Sequence, residues 1–291
     1  MPTEPMIRAL ASMRRAADRA GGRSSDGRAR RISAAARVVE APLEGSAKDV
    51  DPGTKPRQRA CVSGGGARSF GRLFVAALVC VATAASAQSG SAIIVENWTK
   101  QPPGKHGIPD GWQGQNWGSP KHDFTVESES ADSVLHLKSD NDSSTITKEI
   151  KVDVRQYPIL QWRWKVVLLP KGGDARRKET DDQAAQLYVT FPRFPSAVRS
   201  RVIGYIWDTT APAGAIFPSQ KVSTVTFVVV RSGDADLGKW LPETRNVLED
   251  YRRIYGEGPG ESVGAVSISI NSQNNSTRAE SFFGEILFRK P

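Results

Sequence analysis

The chain has 291 residues, with 40 Lys and Arg against 31 Asp and Glu and a formal net charge of +9. The surplus lies at one end: residues 1–87 carry 15 basic and 7 acidic side chains, whereas residues 88–291 carry 25 and 24. A nearly neutral body of that size excludes a broad electrostatic surface for nucleic acid and suffices for one well-filled core.

In chain order, the first 67 residues are rich in Arg, Ala, Gly and Ser and lack apolar periodicity, so they predict no independent fold. From Arg68 the pattern changes. Arg68 and Arg72 precede the apolar run Leu73–Ala82, which ends in Ala85-Ser86-Ala87. A basic start, a short apolar stretch and a small-x-small end are the parts of a secretory signal over 68–87, with cleavage expected after Ala87. The apolar run is too short to span a bilayer. Either translation begins nearer Arg68, at a codon read as Val62, or residues 1–67 form a disordered basic tail. The expected product, 88–291, is a single exported domain, periplasmic or secreted, with no integral membrane segment. Both cysteines, Cys61 and Cys80, precede the cleavage point, so this body would contain no disulfide, thiolate zinc site or cysteine nucleophile.

Short strands are expected at Ile93–Val95, Phe124–Val126, Val134–Leu137 and Ser144–Val152. Trp162, Trp164 and Val166 alternate with Arg163 and Lys165, predicting a strand whose tryptophans face inward. Leu187, Val189 and Phe191 make a second inward row, and Val202–Trp207 is bulky on both faces, as in a central strand. Val222–Arg231 reads as another buried strand. Val266, Ile268 and Ile270 alternate with Ser267 and Ser269, and Phe282–Phe288 closes the series. Residues 241–255, with Pro242 near the start, Gly256 at the end and an apolar stripe of Val247, Leu248, Tyr251 and Ile254, predict one covering helix. The fold class is therefore all-β: a jelly-roll-like β-sandwich with one helix.

Catalytic signatures are sparse. His106, His122 and His136 form no metal motif and are expected in loops or at the surface. There is no G-x-S-x-G elbow, and Gly64-Gly65-Gly66 is not a phosphate loop. The acidic candidates are Asp181 and Asp182 before one strand, Asp208 at the end of another, and Glu285 within an apolar run. A glycoside hydrolase needs two facing carboxyls about 5–10 Å apart. Asp181 and Asp182 point apart once a strand has begun. They could instead tie down a loop, pair with Arg163 or Arg201, or hold a structural calcium through oxygen; no other cofactor is expected. Of seven tryptophans, Trp112, Trp117 and Trp240 lie beside Gly or Pro and are expected to border a groove, where flat aromatic faces suit sugar rings. Asn274 belongs to the polar stretch Asn271–Arg278, whose amides could bind hydroxyls or make a turn. A single site requires Asp181, Asp208, Glu285 and Trp240 to converge.

Several segments, in order, resemble the bacterial domain-of-unknown-function 3047 family. They are Ile108-Pro109-Asp110-Gly111-Trp112, Leu160-Gln161-Trp162-Arg163-Trp164-Lys165, Asp181 through Val189, Tyr205-Ile206-Trp207, Val229-Val230-Arg231-Ser232-Gly233, and Trp240 through Glu257. The resemblance implies an exported β-sandwich of unknown activity and supplies no catalytic residue. This chain has Asn271–Thr277 where the family tends to an Asp-x-Asp-Asn-Thr run, and Gln186 where it usually carries Arg, so a role for that acidic pair does not carry over. The expected function is non-catalytic binding of a polysaccharide or another cell-envelope component, with no nucleic-acid partner. The alternatives are a glycoside hydrolase or polysaccharide lyase using the acidic residues, and a purely structural envelope protein.

Overall fold

The computed structural model describes residues 91–130 and 132–291. The expected leader, the segment before it and both cysteines lie outside the described residues. Among the described residues, thirteen strands form two sheets. The first has the order β11 (Leu241–Asn246), β6 (Ile159–Leu168), β13 (Arg278–Arg289), β4 (Asp132–Asp140), β3 (Phe124–Glu129), and β1 (Ala92–Glu96) also pairs with β13. The second runs β2 (Gln113–Gly114), β5 (Ser143–Val152), β12 (Val263–Asn271), β7 (Ala185–Phe191), β8 (Arg201–Asp208), β10 (Val225–Ser232), β9 (Ile216–Pro218). Every pairing is antiparallel except β8 with β10.

The alternation in the sequence becomes the interior. Trp162, Trp164 and Val166 from β6 meet Leu187, Val189 and Phe191 from β7 and Val266, Ile268 and Ile270 from β12 in one apolar core. This is a two-layer β-sandwich, as the period-two pattern requires. A smaller apolar cluster lies on the other face of the second sheet. There Val202, Ile206, Val225, Phe227 and Val229 pack with Ala175 and Ala211 from the connecting loops. Among the described residues, no helix is long and apolar enough to cross a membrane.

The helix is shorter than expected. A four-residue turn, α1, spans Ser196–Arg199, and the covering helix, α2, runs only over Val247–Tyr255. Residues 241–246 instead form β11 on the edge of the first sheet, where Pro242 can be placed beside Arg163. Two features set the boundary. Asn246 caps the helix by accepting from the Glu249 amide at 3.2 Å. Glu243 is held in extended chain by the Trp164 indole N–H (3.1 Å) and by Arg231 (2.7 Å). At the other end Gly256 takes φ 73°, the left-handed position that stops a helix.

Next to β1, Glu96 is a buried carboxylate that gathers four donors. They are the amides of Asn97 (3.1 Å) and Trp98 (3.0 Å), the Trp112 indole N–H (3.0 Å) and Lys148 Nζ (2.7 Å). Burial pushes its carboxyl up, but the bonds from Lys148, Trp112 and Trp98 outweigh that and hold it below the ordinary 4.5. A lowered folded-state value contributes stability above the unfolded value and loses it as pH falls through the folded one. Glu96→Gln is therefore expected to cost about 2–3 kcal/mol at neutral pH. Chemical unfolding should show the gap from the parent narrowing as pH drops below 4.5.

Candidate functional site

The outward face of the second sheet carries a cleft of about 820 Å³. Strand register builds its floor in cross-strand rows. Thr145 of β5, Ser269 of β12 and Gln186 of β7 lie side by side, and the row continues into Ile206 and Val229. The next row is Thr147, Ser267, Tyr188, Gly204, Phe227. The face is thus divided lengthwise: hydroxyls and amides on β5, β12 and β7, and aliphatic or aromatic side chains on β8 and β10. Tyr188 stands on the boundary, its ring centroid 6.4 Å from that of Phe227 and its hydroxyl donating to Gln186 Oε1.

One hydrogen-bonded chain runs along the polar half. Gln186 Nε2 donates to Gln183 Oε1 at 2.9 Å, and Gln183 Nε2 to Asp181 Oδ1 at 3.0 Å. Asp181 Oδ2 lies 3.5 Å from Lys221 Nζ, which donates to Asn274 Oδ1 at 2.7 Å. Burial pushes the Asp181 carboxyl above its ordinary value, partly offset by Lys221 and Gln183. Burial also raises the Tyr188 phenol, which keeps it protonated and able to donate. Trp117, Gln115 and Asn271 also line the cleft.

The proposed site residues do not all meet here. Asp181 and Asn274 line the cleft. Asp182, fully buried, instead accepts from the backbone amides of Asn274 (2.9 Å) and Asn275 (2.7 Å), so it shapes the end of the cleft without facing it. The two adjacent acids do diverge, as strand geometry predicts. Neither pairs with Arg163, which bonds Asp132, or with Arg201, which bonds Tyr251 and Glu257; the partner of Asp181 is Lys221. Asp208 is fully buried, and burial raises its carboxyl against three backbone amides that hold it.

Glu285 is exposed on β13 of the other sheet. Trp112 is buried, stacked 5.5 Å from Trp98 and bonded to Glu96, so it borders no groove. Trp240 covers the outer face of the first sheet, beneath Arg163 and Lys165 at 4.8 and 5.0 Å, its indole N–H on Glu129. Asp181, Asp208, Glu285 and Trp240 therefore do not converge. Among the three tryptophans expected at a groove, Trp117 is the one that lines the cleft. His136 is also not a loop residue: it lies on β4 between Glu127 (2.6 Å) and Glu280 (2.7 Å), stacked on Phe282.

Among the described residues, no three His, Cys, Asp or Glu side chains are grouped to hold a metal. The oxygens of Asp181 and Asp182 are engaged by Gln183, Lys221 and backbone amides, which leaves them poorly disposed as calcium ligands.

Gln115, Lys221, Ser267 and Ser269 belong to no motif, whereas Gln183, Gln186 and Tyr188 fall in the family-like segment Asp181 through Val189, which assigns them no role. Alternation with the inward apolar rows signals Gln186, Tyr188, Ser267 and Ser269 alone; Gln115, Gln183 and Lys221 lie in connecting segments. Gln186 and the 271–277 stretch, where the chain departs from the family pattern noted above, both reach this cleft.

No curated protein matches the chain. Among solved structures it is similar to the xyloglucanase domain of NopAA, a type three effector from Sinorhizobium fredii, at 13% identity and TM-score 0.36, covering 66% of this chain and 97% of that one. It is also similar to the CBM22-1 xylan-binding domain of Paenibacillus barcinonensis Xyn10C, at 10% identity and TM-score 0.34, covering 69% and 96%. A third is the endoglucanase cel12A from Rhodothermus marinus, at 10% identity and TM-score 0.36, covering 62% and 92%. The family model for a protein of unknown function, DUF3047, matches residues 110–287, a span that takes in all seven strands of the cleft-bearing sheet. The chain belongs to that family.

Proposed function

We propose that the protein is an exported, non-catalytic binding protein, with residues 88–291 as its single working domain, and that it takes a carbohydrate of the cell envelope in this cleft without a cofactor. The observation that carries the reading is the lengthwise division of the floor. A pyranose ring is amphipathic: hydroxyls radiate from its edge, and its C–H faces are apolar. Serine, threonine and glutamine on β5, β12 and β7 match the edge, and Tyr188, Val202, Val225 and Phe227 match a face.

Turnover by a carboxylate pair has less support. Of the acidic residues first singled out, Asp181 alone lines the cleft, and both its oxygens face nitrogen donors.

Titration of the purified protein with a panel of soluble polysaccharides tests the proposal. Binding is expected, and Gln186→Ala should weaken it at least about tenfold, equal to about 1.4 kcal/mol, while circular dichroism keeps its β signature. Binding to no polysaccharide, or binding indifferent to Gln186→Ala, would overturn it. Release of reducing ends from a bound chain would overturn its non-catalytic part.

A further inference from the structure

We infer that the cleft is built for uncharged glycan chains and discriminates against acidic ones. This rests on the carbohydrate reading and adds the ligand's charge class.

Among the described residues, four charged ones line the cleft: Lys178, Glu179, Asp181 and Lys221. Lys178 and Glu179 are exposed neighbours of opposite sign in the turn Lys178–Thr180, open to water that screens them. The deeper pair, Asp181 and Lys221, is mutually compensated. The ammonium of Lys221 has three N–H bonds and three acceptors around it: Asn274 Oδ1 at 2.7 Å, Asp181 backbone O at 3.4 Å and Asp181 Oδ2 at 3.5 Å. Its hydrogen bonds run to Asn274 and Asp181 and its charge is matched by the Asp181 carboxylate, so it is a compensated cation and not an open one for a uronate or sulfate.

The rest of the floor is amide and hydroxyl. At the β2 side, Gln115 gives both its N–H bonds away, to Trp117 O (3.1 Å) and Ser143 O (2.9 Å). Its Oε1 is buried with no hydrogen-bond donor of its own. A ligand carboxylate in the cleft would thus be stripped of water with no cation released to pair it, because the Lys221 charge is already matched by Asp181. A neutral chain meets none of these penalties.

The experiment compares matched ligands, polygalacturonate and its fully methyl-esterified form, beside neutral xylan, mannan and glucan. The parent protein should bind at least one neutral chain and bind the acidic chain at least about tenfold more weakly than its ester or the best neutral one. Its affinity should change less than about twofold between about 0.05 and 0.5 M NaCl. Asp181→Asn leaves the Lys221 charge uncompensated and should shift the acidic-to-neutral ratio at least about fivefold toward the acidic chain. Lys221→Gln should shift it the other way or leave acidic binding undetectable. Equal or tighter binding of the acidic chain would overturn the inference while leaving carbohydrate binding intact. A ratio unmoved in both variants, with folding verified by thermal melts, would overturn it too. Binding of no glycan would sink it together with the reading beneath it.

Discussion

Asp208→Ala is expected to destabilise the protein by about 3–6 kcal/mol, the largest effect of any single change outside the main core. Asp208 closes β8 and is completely buried. Its Oδ2 accepts the Ala175 amide at 2.9 Å, and its Oδ1 accepts those of Thr210 and Ala211 at 2.7 and 2.6 Å. One side chain thus fastens the loop before β7 to the loop after β8. Ala175 and Ala211 belong to the small apolar cluster over β8 and β10, so the same three bonds keep that cluster covered. Truncation leaves the buried N–H groups of Ala175 and Ala211 without partners, each costing on the order of 1–3 kcal/mol, frees the half-buried bond of Thr210, and opens the cluster to water. Denaturant unfolding would register the loss, and the melting point should fall by about 10 °C or more. Asp208→Asn should cost about half as much, because its carbonyl can keep two amides while its NH₂ faces the Ala175 N–H. A loss below about 1 kcal/mol in the alanine variant would mean that the loops are fixed by other contacts.

This carboxylate marks how far the sequence could be read. Strand positions follow from local alternation, so the inward orientation of Trp162, Trp164, Leu187, Val189, Ile268 and Ile270 is legible in the sequence alone. The helix start could not be placed as well, because the deciding contacts of Glu243 come from Trp164 and Arg231, distant in sequence. Proximity to glycine does not decide the exposure of Trp112 or Trp240. Glycine marks a turn but does not say which side of the turn is wet. Trp112 is drawn in by Glu96, sixteen residues earlier, and Trp240 by cations of β6 that looked like a plain solvent face. The cleft itself depends on strand order. Serines near residue 268 lie beside Gln186 and Tyr188 only because β12 inserts between β5 and β7. Alternation shows that these side chains share an outward face; it cannot show which strands that face will join.

Gly204→Val is expected to weaken glycan binding at least about tenfold and to cost about 1–3 kcal/mol of stability, because the cleft floor requires a residue without a side chain there. Register sets Gly204 directly between Tyr188 and Phe227. A Cβ at that position would stand 2.8 Å from Tyr188 Cε1 and 3.0 Å from Phe227 Cδ1, inside normal contact with two stiff rings. Tyr188 cannot yield without moving its hydroxyl away from Gln186, and Gln186 in turn holds Gln183 and, through it, Asp181. One added methyl group therefore disturbs the polar chain and the apolar wall together, and Gly204→Ala should show the same direction with smaller size. Denaturant unfolding and glycan titration separate the two consequences. Lower stability with unchanged affinity would mean that the ligand does not rest on the Tyr188 row, and the contact surface would then have to lie toward Asn271 and Lys221. Unchanged stability and affinity would mean that the rings are free to part, contrary to the close packing that places Phe227 in the second apolar cluster with Tyr188 against it.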